Sequence, residues 1–308
     1  MRFNSDQIQK IGKEISSKVD GKTLFDEFSR GRYSTDASVY QIKPLGVVLP
    51  KDTNDVLSLM EYSQKNSVPL LARGGGSSQC GQTVGESVVL DYSKHQNKIL
   101  ELNVEEKYVW VQPGVVLDHL NDYLKPHGLW FPVDVSTSSR ATIGGMSANN
   151  SCGSRSLYYG NMVHNVLAIE AILDDGSIFN FDQINKNYLA TKNNQDRLYK
   201  IIDKFIDVRQ QVGGEIDANW PTTQRRVGGY NIDLIDPEGF NSSNLLVGSE
   251  GTLSLFNKIK LKLSEIPKNK ILGVCYFDNF HQAMELSKEI VKLKPVSYTH
   301  LRAHETAI

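Results

Sequence analysis

Two glycine-rich loops carry the residue types best suited to chemistry: Ala72-Arg73-Gly74-Gly75-Gly76-Ser77-Ser78 and Ala141-Thr142-Ile143-Gly144-Gly145. The first follows the apolar run Val68-Pro69-Leu70-Leu71-Ala72, which reads as a buried strand. Three successive glycines let the chain take positive φ and bring its backbone close to another group. Successive N–H groups exposed in such a turn form a concave anion site, suited to phosphate oxygens. Ser77 and Ser78 add hydroxyl donors and Arg73 adds a positive charge. A flexible turn is the competing reading of a lone Gly-Gly-Gly. The loop does not read G-x-G-x-x-G and no Gly-Lys-Ser/Thr follows, so the Rossmann and P-loop readings both fail. The second loop suggests one extended anion held from two sides, and a dinucleotide pyrophosphate is the best candidate.

The elements around these loops follow from pattern. Residues 5–30 carry spaced apolar positions from Ile8 to Phe28, predicting one or two helices in an N-terminal arm. Val47-Val48-Leu49 reads as a short strand, and Asp52-Thr53-Asn54-Asp55 caps a helix that buries Val56, Leu59 and Met60. With strands at Val68–Ala72 and Val88–Leu90 this makes a β-α-β unit with the first loop at a strand end. Further strands are expected at Ile99–Asn103 and Tyr108–Gln112, and a helix from Val116 to Leu124. Trp130–Gly145 has almost no periodicity, and a long irregular stretch inside a domain is usually functional. Val166–Leu173 and Ser177–Phe181 flank the hairpin turn Asp174-Asp175-Gly176. Residues 183–211 read as helical, Ile259–Leu263 as a strand, and a strand Leu272–Phe277 plus helix Phe280–Leu293 as the start of a second domain. The run from Val296 to Ile308 has little apolar periodicity and reads as a foreign tail. Its His300 and His304 have a metal-binding i, i+4 spacing, but no metal site is expected.

Composition narrows the classes. A chain of 308 residues suggests about two domains. Its hydrophobic content of 40% and charged content of 22% are those of an ordinary globular protein. A formal net charge of −1 gives no case for nucleic acid or an anionic membrane as partner. No run reaches the ~18 apolar residues of a transmembrane segment, and no secretory signal opens the chain. Cys80, Cys152 and Cys275 are too few and too spread for a disulfide framework or metal site. A cytoplasmic location is expected, with attachment to the inner membrane only through an electron-transfer partner.

Arg73–Ser78, Gln79-Cys80-Gly81-Gln82, Pro132–Gly160 and Gly248-Ser249-Glu250-Gly251-Thr252-Leu253 together resemble the FAD-linked oxidases of the vanillyl-alcohol-oxidase superfamily. Within it, the run Ser136–Met146 followed by Ala148–Gly153 resembles the D-2-hydroxyacid dehydrogenases, in particular long members with a C-terminal iron–sulfur domain. The resemblance covers residues 33–295. It implies an α+β fold: a helical arm at 1–35, a two-part FAD-binding domain at 36–268, and the start of an α/β substrate-capping domain at 269–295, with the tail at 296–308.

It also implies a site. The backbone of Arg73, Gly74, Gly75, Gly76, Ser77 and Ser78 would lie on the FAD pyrophosphate, with Gln82 beside it. Pro132, Ser136, Ser139, Thr142, Ile143 and Gly144 would line the flavin and its phosphates. Asn150, Gly153, Tyr159, Gly160 and Val166 would complete the pocket, and Glu250 and Gly251 would approach from the other side. Ser77 stands where some members attach FAD through a histidine, so non-covalent FAD is expected. Cys152 is a weak attachment candidate, since nothing near it in the sequence depresses its pKa.

The implied substrate is a small 2-hydroxy acid, D-2-hydroxyglutarate or D-lactate, with an electron acceptor other than NAD. Arg225 and Arg226 could fork the substrate carboxylate, against the plainer reading of surface ion pairs. His119, His127 and His164 read best as structural. The catalytic base, like any iron–sulfur cluster, is expected outside this stretch, in the capping and C-terminal parts. An alcohol or sugar oxidase on the same fold, or a flavin-binding module without turnover, are the alternatives.

Overall fold

In the computed structural model, which describes residues 3–185, 196–223, 225–269, 271 and 273–293, the chain builds two principal sheets, each with its own apolar core. Helix α1 (Ser5–Ser16) opens on a capping box between Asn4 and Gln7 and buries Ile8, Ile11 and Ile15 at helical spacing. Strand β1 (Lys22–Leu24) and helix α2 (Glu27–Arg32) follow. Strand β2 (Gly46–Leu49) leads into α3 (Thr53–Asn66), where Asp52 accepts from Asn54 N at 2.8 Å as the expected cap. Strands β3 (Leu70–Arg73) and β4 (Val88–Asp91) complete a sheet in the order β1-β2-β4-β3. β2, β4 and β3 run parallel, so α3 serves as the crossover that parallel strands require. Central β4 is buried along its whole length, which is why Val88-Val89-Leu90 reads as a continuous apolar run. The first glycine loop leaves the carboxyl end of β3, where open α/β sheets present ligand sites.

The second sheet is antiparallel. Along the chain come β5 (Ile99–Asn103), β6 (Tyr108–Val111), α4 (Leu117–Leu124), β7 (Leu129–Trp130), α5 (Ile143–Ala148), α6 (Ser156–Tyr159) and α7 (Met162–Asn165). Then come β8 (Val166–Ile172), β9 (Ile178–Phe181), β10 (Gln183–Asn185), α8 (Arg197–Asn219), β11 (Gly239–Asn241), α9 (Ser243–Leu246), β12 (Leu255–Lys262), β13 (Ser264–Glu265) and α10 (Phe280–Lys292). The main sheet runs β5-β6-β12-β8-β9, and its core gathers Val109, Val111, Leu120, Ile169, Ile202, Ile259 and Leu261. The two cores meet at one corner: Ile172 and Leu255, paired across β8 and β12, pack into the core of the smaller unit. Next to them Thr53 Oγ1 donates to Asn257 Oδ1 at 2.8 Å.

Several expectations change. The N-terminal arm is not wholly helical, because Lys22–Leu24 pairs with β2. Residues 183–185 form a strand against β11 rather than a helix, and the helix begins at Arg197 behind the Asp196 cap. Both strands exist through pairing with distant segments, which no local period announces. The irregular stretch overlaps the end of β7 and the start of the six-residue helix α5. Residues 273–277 form no strand, and Tyr276 is almost fully exposed. Leu272, residues 186–195 and the suspected tail with His300 and His304 lie outside the described residues. Among the described residues no helix is long and apolar enough to cross a membrane.

Candidate functional site

The first loop leaves β3 with a run of free donors. Among the described residues, the main-chain N–H groups of Gly74, Gly75, Gly76, Ser77 and Ser78 make no hydrogen bond to the protein. Five successive unpaired amides are what an anion site needs. Arg73 does something else. Its guanidinium donates to Thr35 O at 2.8 Å, Thr83 O at 3.2 Å and Tyr33 O at 3.4 Å, and lies 5.3 Å from the Tyr33 ring centre. It braces the loop against the segments on either side. Burial lowers its pKa, but an arginine stays protonated in a protein. Tyr33 is in turn fixed by donating to Asp91 Oδ2 at 2.6 Å, and burial followed by that bond pushes its phenol pKa up.

The two glycine loops touch directly. A Cβ on Gly74 would lie 2.0 Å from Thr142 Oγ1, and one on Gly75 would lie 2.2 Å from Arg140 O. Any side chain there would push the loops apart, so glycine is required by contact rather than by φ. Thr142 caps α5 by accepting from Gly145 N at 3.4 Å. A third loop hooks onto α5: Gly248 N donates to Ser147 O at 2.9 Å and Glu250 N to Ala148 O at 2.8 Å. Glu250 has φ of 52°, between Gly248 at 83° and Gly251 at 77°. Gln82 spans the gap, accepting from Ser78 Oγ and donating to Glu250 Oε1 at 3.1 Å.

These three loops wall a cavity of about 210 Å³. Of the expected residues, Arg73, Gly74, Gly75, Gly76, Ser77, Ser78, Gln82, Thr142, Gly144, Glu250 and Gly251 line it. The others sit elsewhere. Pro132 is buried, while Ser136 and Ser139 are exposed ahead of the second loop. Ile143 and Val166 point into the core. Gly153 packs on Asp134, with a Cβ only 1.9 Å from Asp134 O, and Gly160 turns beside His164 at φ 76°. Tyr159 packs edge-on against Trp130, ring centres 5.5 Å apart. Asn150 is fully buried; its Oδ1 accepts from Val163 N at 3.0 Å, and its Nδ2 has no partner among the described residues.

Sequence reasoning missed Tyr92, Pro113, Thr137 and Ser254 in the cavity wall, since none belongs to a glycine motif. Arg225 and Arg226 form no common fork. Arg226 pairs with Asp233 Oδ2 at 2.6 Å and lies over Trp220, while Arg225 Nη2 approaches Cys152 Sγ at 3.5 Å. Cys152 therefore has a cation beside it that the sequence did not reveal. Among the described residues no group of three or more His, Cys, Asp or Glu could hold a metal ion.

The unpaired amides and the close glycine contacts fit a bound dinucleotide with a pyrophosphate on the first loop. Comparison with known proteins agrees. Residues 44–182 match the model of an FAD binding domain. The chain is 34% identical over 277 residues to D-2-hydroxyglutarate dehydrogenase of Haemophilus influenzae, covering 86% of this chain and 27% of that protein. It is 34% identical over 287 residues to the enzyme of the same name from Escherichia coli, covering 90% and 28%. The chain thus spans less than a third of the length of these relatives. A solved structure of alkyldihydroxyacetonephosphate synthase superposes with a TM-score of 0.59 at 18% identity, over 85% of this chain and 44% of that one. Residues 44–182 thus match an FAD binding domain, the chain is similar in sequence to D-2-hydroxyglutarate dehydrogenases, and its fold is that of the solved synthase.

Proposed function

We propose that this chain is the flavin-binding part of an enzyme that oxidises a D-2-hydroxy acid, D-2-hydroxyglutarate or D-lactate, to the 2-oxo acid. The observation that carries the reading is the 34% identity to D-2-hydroxyglutarate dehydrogenases over most of the chain, through all three loops. Bound FAD supplies the hydride acceptor. The chain's own residues hold it: the Gly74–Ser78 amides would take the pyrophosphate, and Gln82 and Glu250 would set the distance between the loops. Ser77 lacks the imidazole needed for attachment, which supports non-covalent FAD. The absence of a nicotinamide motif supports an acceptor other than NAD. Cys80, Cys152 and Cys275 stand as separate thiols, so an iron–sulfur cluster would be held by other residues.

The test has two steps. Acid precipitation of the purified chain should release FAD into the supernatant, and flavin retained on the polypeptide would overturn non-covalent binding. Anaerobic D-2-hydroxyglutarate or D-lactate should then bleach the flavin rapidly in a chain extended to its relatives' length, and slowly in the 308-residue chain. Positioning and general-base catalysis each contribute orders of magnitude, and the residues that provide them are expected in the part of the relatives that this chain does not span. Bleaching by a sugar or aromatic alcohol, and by no D-2-hydroxy acid, would move the assignment to an oxidase of another class.

A further inference from the structure

Two hydroxyl groups in the wall of the cavity have no hydrogen-bond partner among the described residues. Tyr92 follows β4 of the smaller sheet, and its residue is 5% exposed. Ser254 precedes β12 of the larger sheet and is 7% exposed. Both line the cavity, and both Tyr92 Oη and Ser254 Oγ are buried without a partner among the described residues. Buried hydroxyls are nearly always hydrogen-bonded, because leaving one unpaired forfeits its interaction with water. An unpaired hydroxyl is an isolated anomaly; two on the wall of one cavity, one from each sheet, point to a shared partner.

The surroundings say what kind. Leu70, Leu71, Leu255 and Phe256 line the same cavity, so the hydroxyls are set in an apolar wall. The five free amides of the first loop supply the phosphate-binding part. An apolar wall with two polar groups suits a planar heteroaromatic ring with acceptors at its edge, whereas a phosphate would favour the amides. Burial pushes the Tyr92 phenol pKa up, so this group is a proton donor at every physiological pH.

We propose that Tyr92 Oη and Ser254 Oγ donate hydrogen bonds to a ring edge of bound FAD, making the cofactor a bridge between the two sheets. The proposal rests on the FAD reading and adds two recognition residues to it. An ordered water could also satisfy the pair, and the two cases differ in what removing the hydroxyls does to the cofactor-free protein.

The experiment uses the full chain stripped of flavin, with Tyr92→Phe, Ser254→Ala and the double variant, each change deleting only a hydroxyl. FAD is titrated by flavin fluorescence, and melting is followed with and without saturating FAD. The expected result is a Kd raised about tenfold by each change and about a hundredfold by both, with the melting temperature of the cofactor-free protein unchanged or higher. Parallel titration with ADP locates the ring: weakening of ADP as well as FAD assigns the hydroxyls to adenine, and weakening of FAD alone assigns them to the flavin. An unchanged FAD Kd in the double variant overturns the proposal. So does a fall in the melting temperature of the cofactor-free variants as large as that of the FAD-bound ones, which would mark a structural bond. Failure of the unmodified chain to bind FAD would instead overturn the FAD reading, and the proposal with it.

Discussion

Gln82 Nε2 donates to Glu250 Oε1 at 3.1 Å, joining residues 168 apart beside the cavity. The bond fixes the spacing between the first loop and a residue held at φ 52°, a conformation unusual for glutamate. Because both groups are partly open to solvent, its effect on folding is small, on the order of 1 kcal/mol. Its effect on preorganisation is larger. Gln82→Leu is expected to raise the FAD Kd about three- to tenfold, measured by fluorescence titration, while shifting the melting temperature by less than about 2 °C.

Contact between the glycine loops gives a sharper prediction. Gly75→Ala puts a methyl 2.2 Å from a main-chain carbonyl, an atom that cannot move without moving the second loop. The change should cost about 1–3 kcal/mol and abolish stoichiometric flavin in the purified protein. Gly228→Ala is the control, since a Cβ there meets nothing within 4 Å. It should alter stability by no more than about 0.5 kcal/mol and leave flavin content intact.

Arg73→Lys tests whether that side chain acts by charge or by geometry. Three carbonyls from two segments receive its N–H groups, and an ammonium on a flexible stem cannot reproduce that fork. Charge is kept, yet stability should fall by about 1–3 kcal/mol and FAD affinity with it. Thermal melting and flavin titration of the variant would show whether retained charge is enough.

Removal of the cofactor should be visible in melting alone. A ligand that binds only the folded state stabilises it by mass action, by about 2.7 kcal/mol at a hundredfold excess over its Kd. The melting temperature should therefore climb with the logarithm of FAD concentration. FMN, which lacks the pyrophosphate, should reproduce little of that climb.

The sequence made the first loop legible because strand, triple glycine and serines lie within one short stretch, so the chemistry is local. It made β2, α3, β3 and β4 legible through apolar runs and the Asp52 cap. What it hid is set by contact between distant segments. Nothing near Lys22–Leu24 or Gln183–Asn185 announces their partners. The opposition of Gly75 to Arg140, the engagement of Arg73 with carbonyls and the unpaired Tyr92 hydroxyl depend on where the folded loops come to rest. Arg226 read more plainly as an ion pair than as a substrate fork, but its partner Asp233 is unremarkable in sequence.

The corner at Ile172 and Leu255 bears on how the chain is made. The smaller sheet is complete in sequence at Asp91, but its core includes these two residues from the larger one. At a synthesis rate of about 5–20 residues per second, Leu255 emerges on the order of ten seconds after Asp91. Throughout that interval the nascent β2-β4-β3 sheet presents an uncovered apolar corner. A chaperone that shields exposed hydrophobic surface during translation therefore has a defined window and a defined target in this protein.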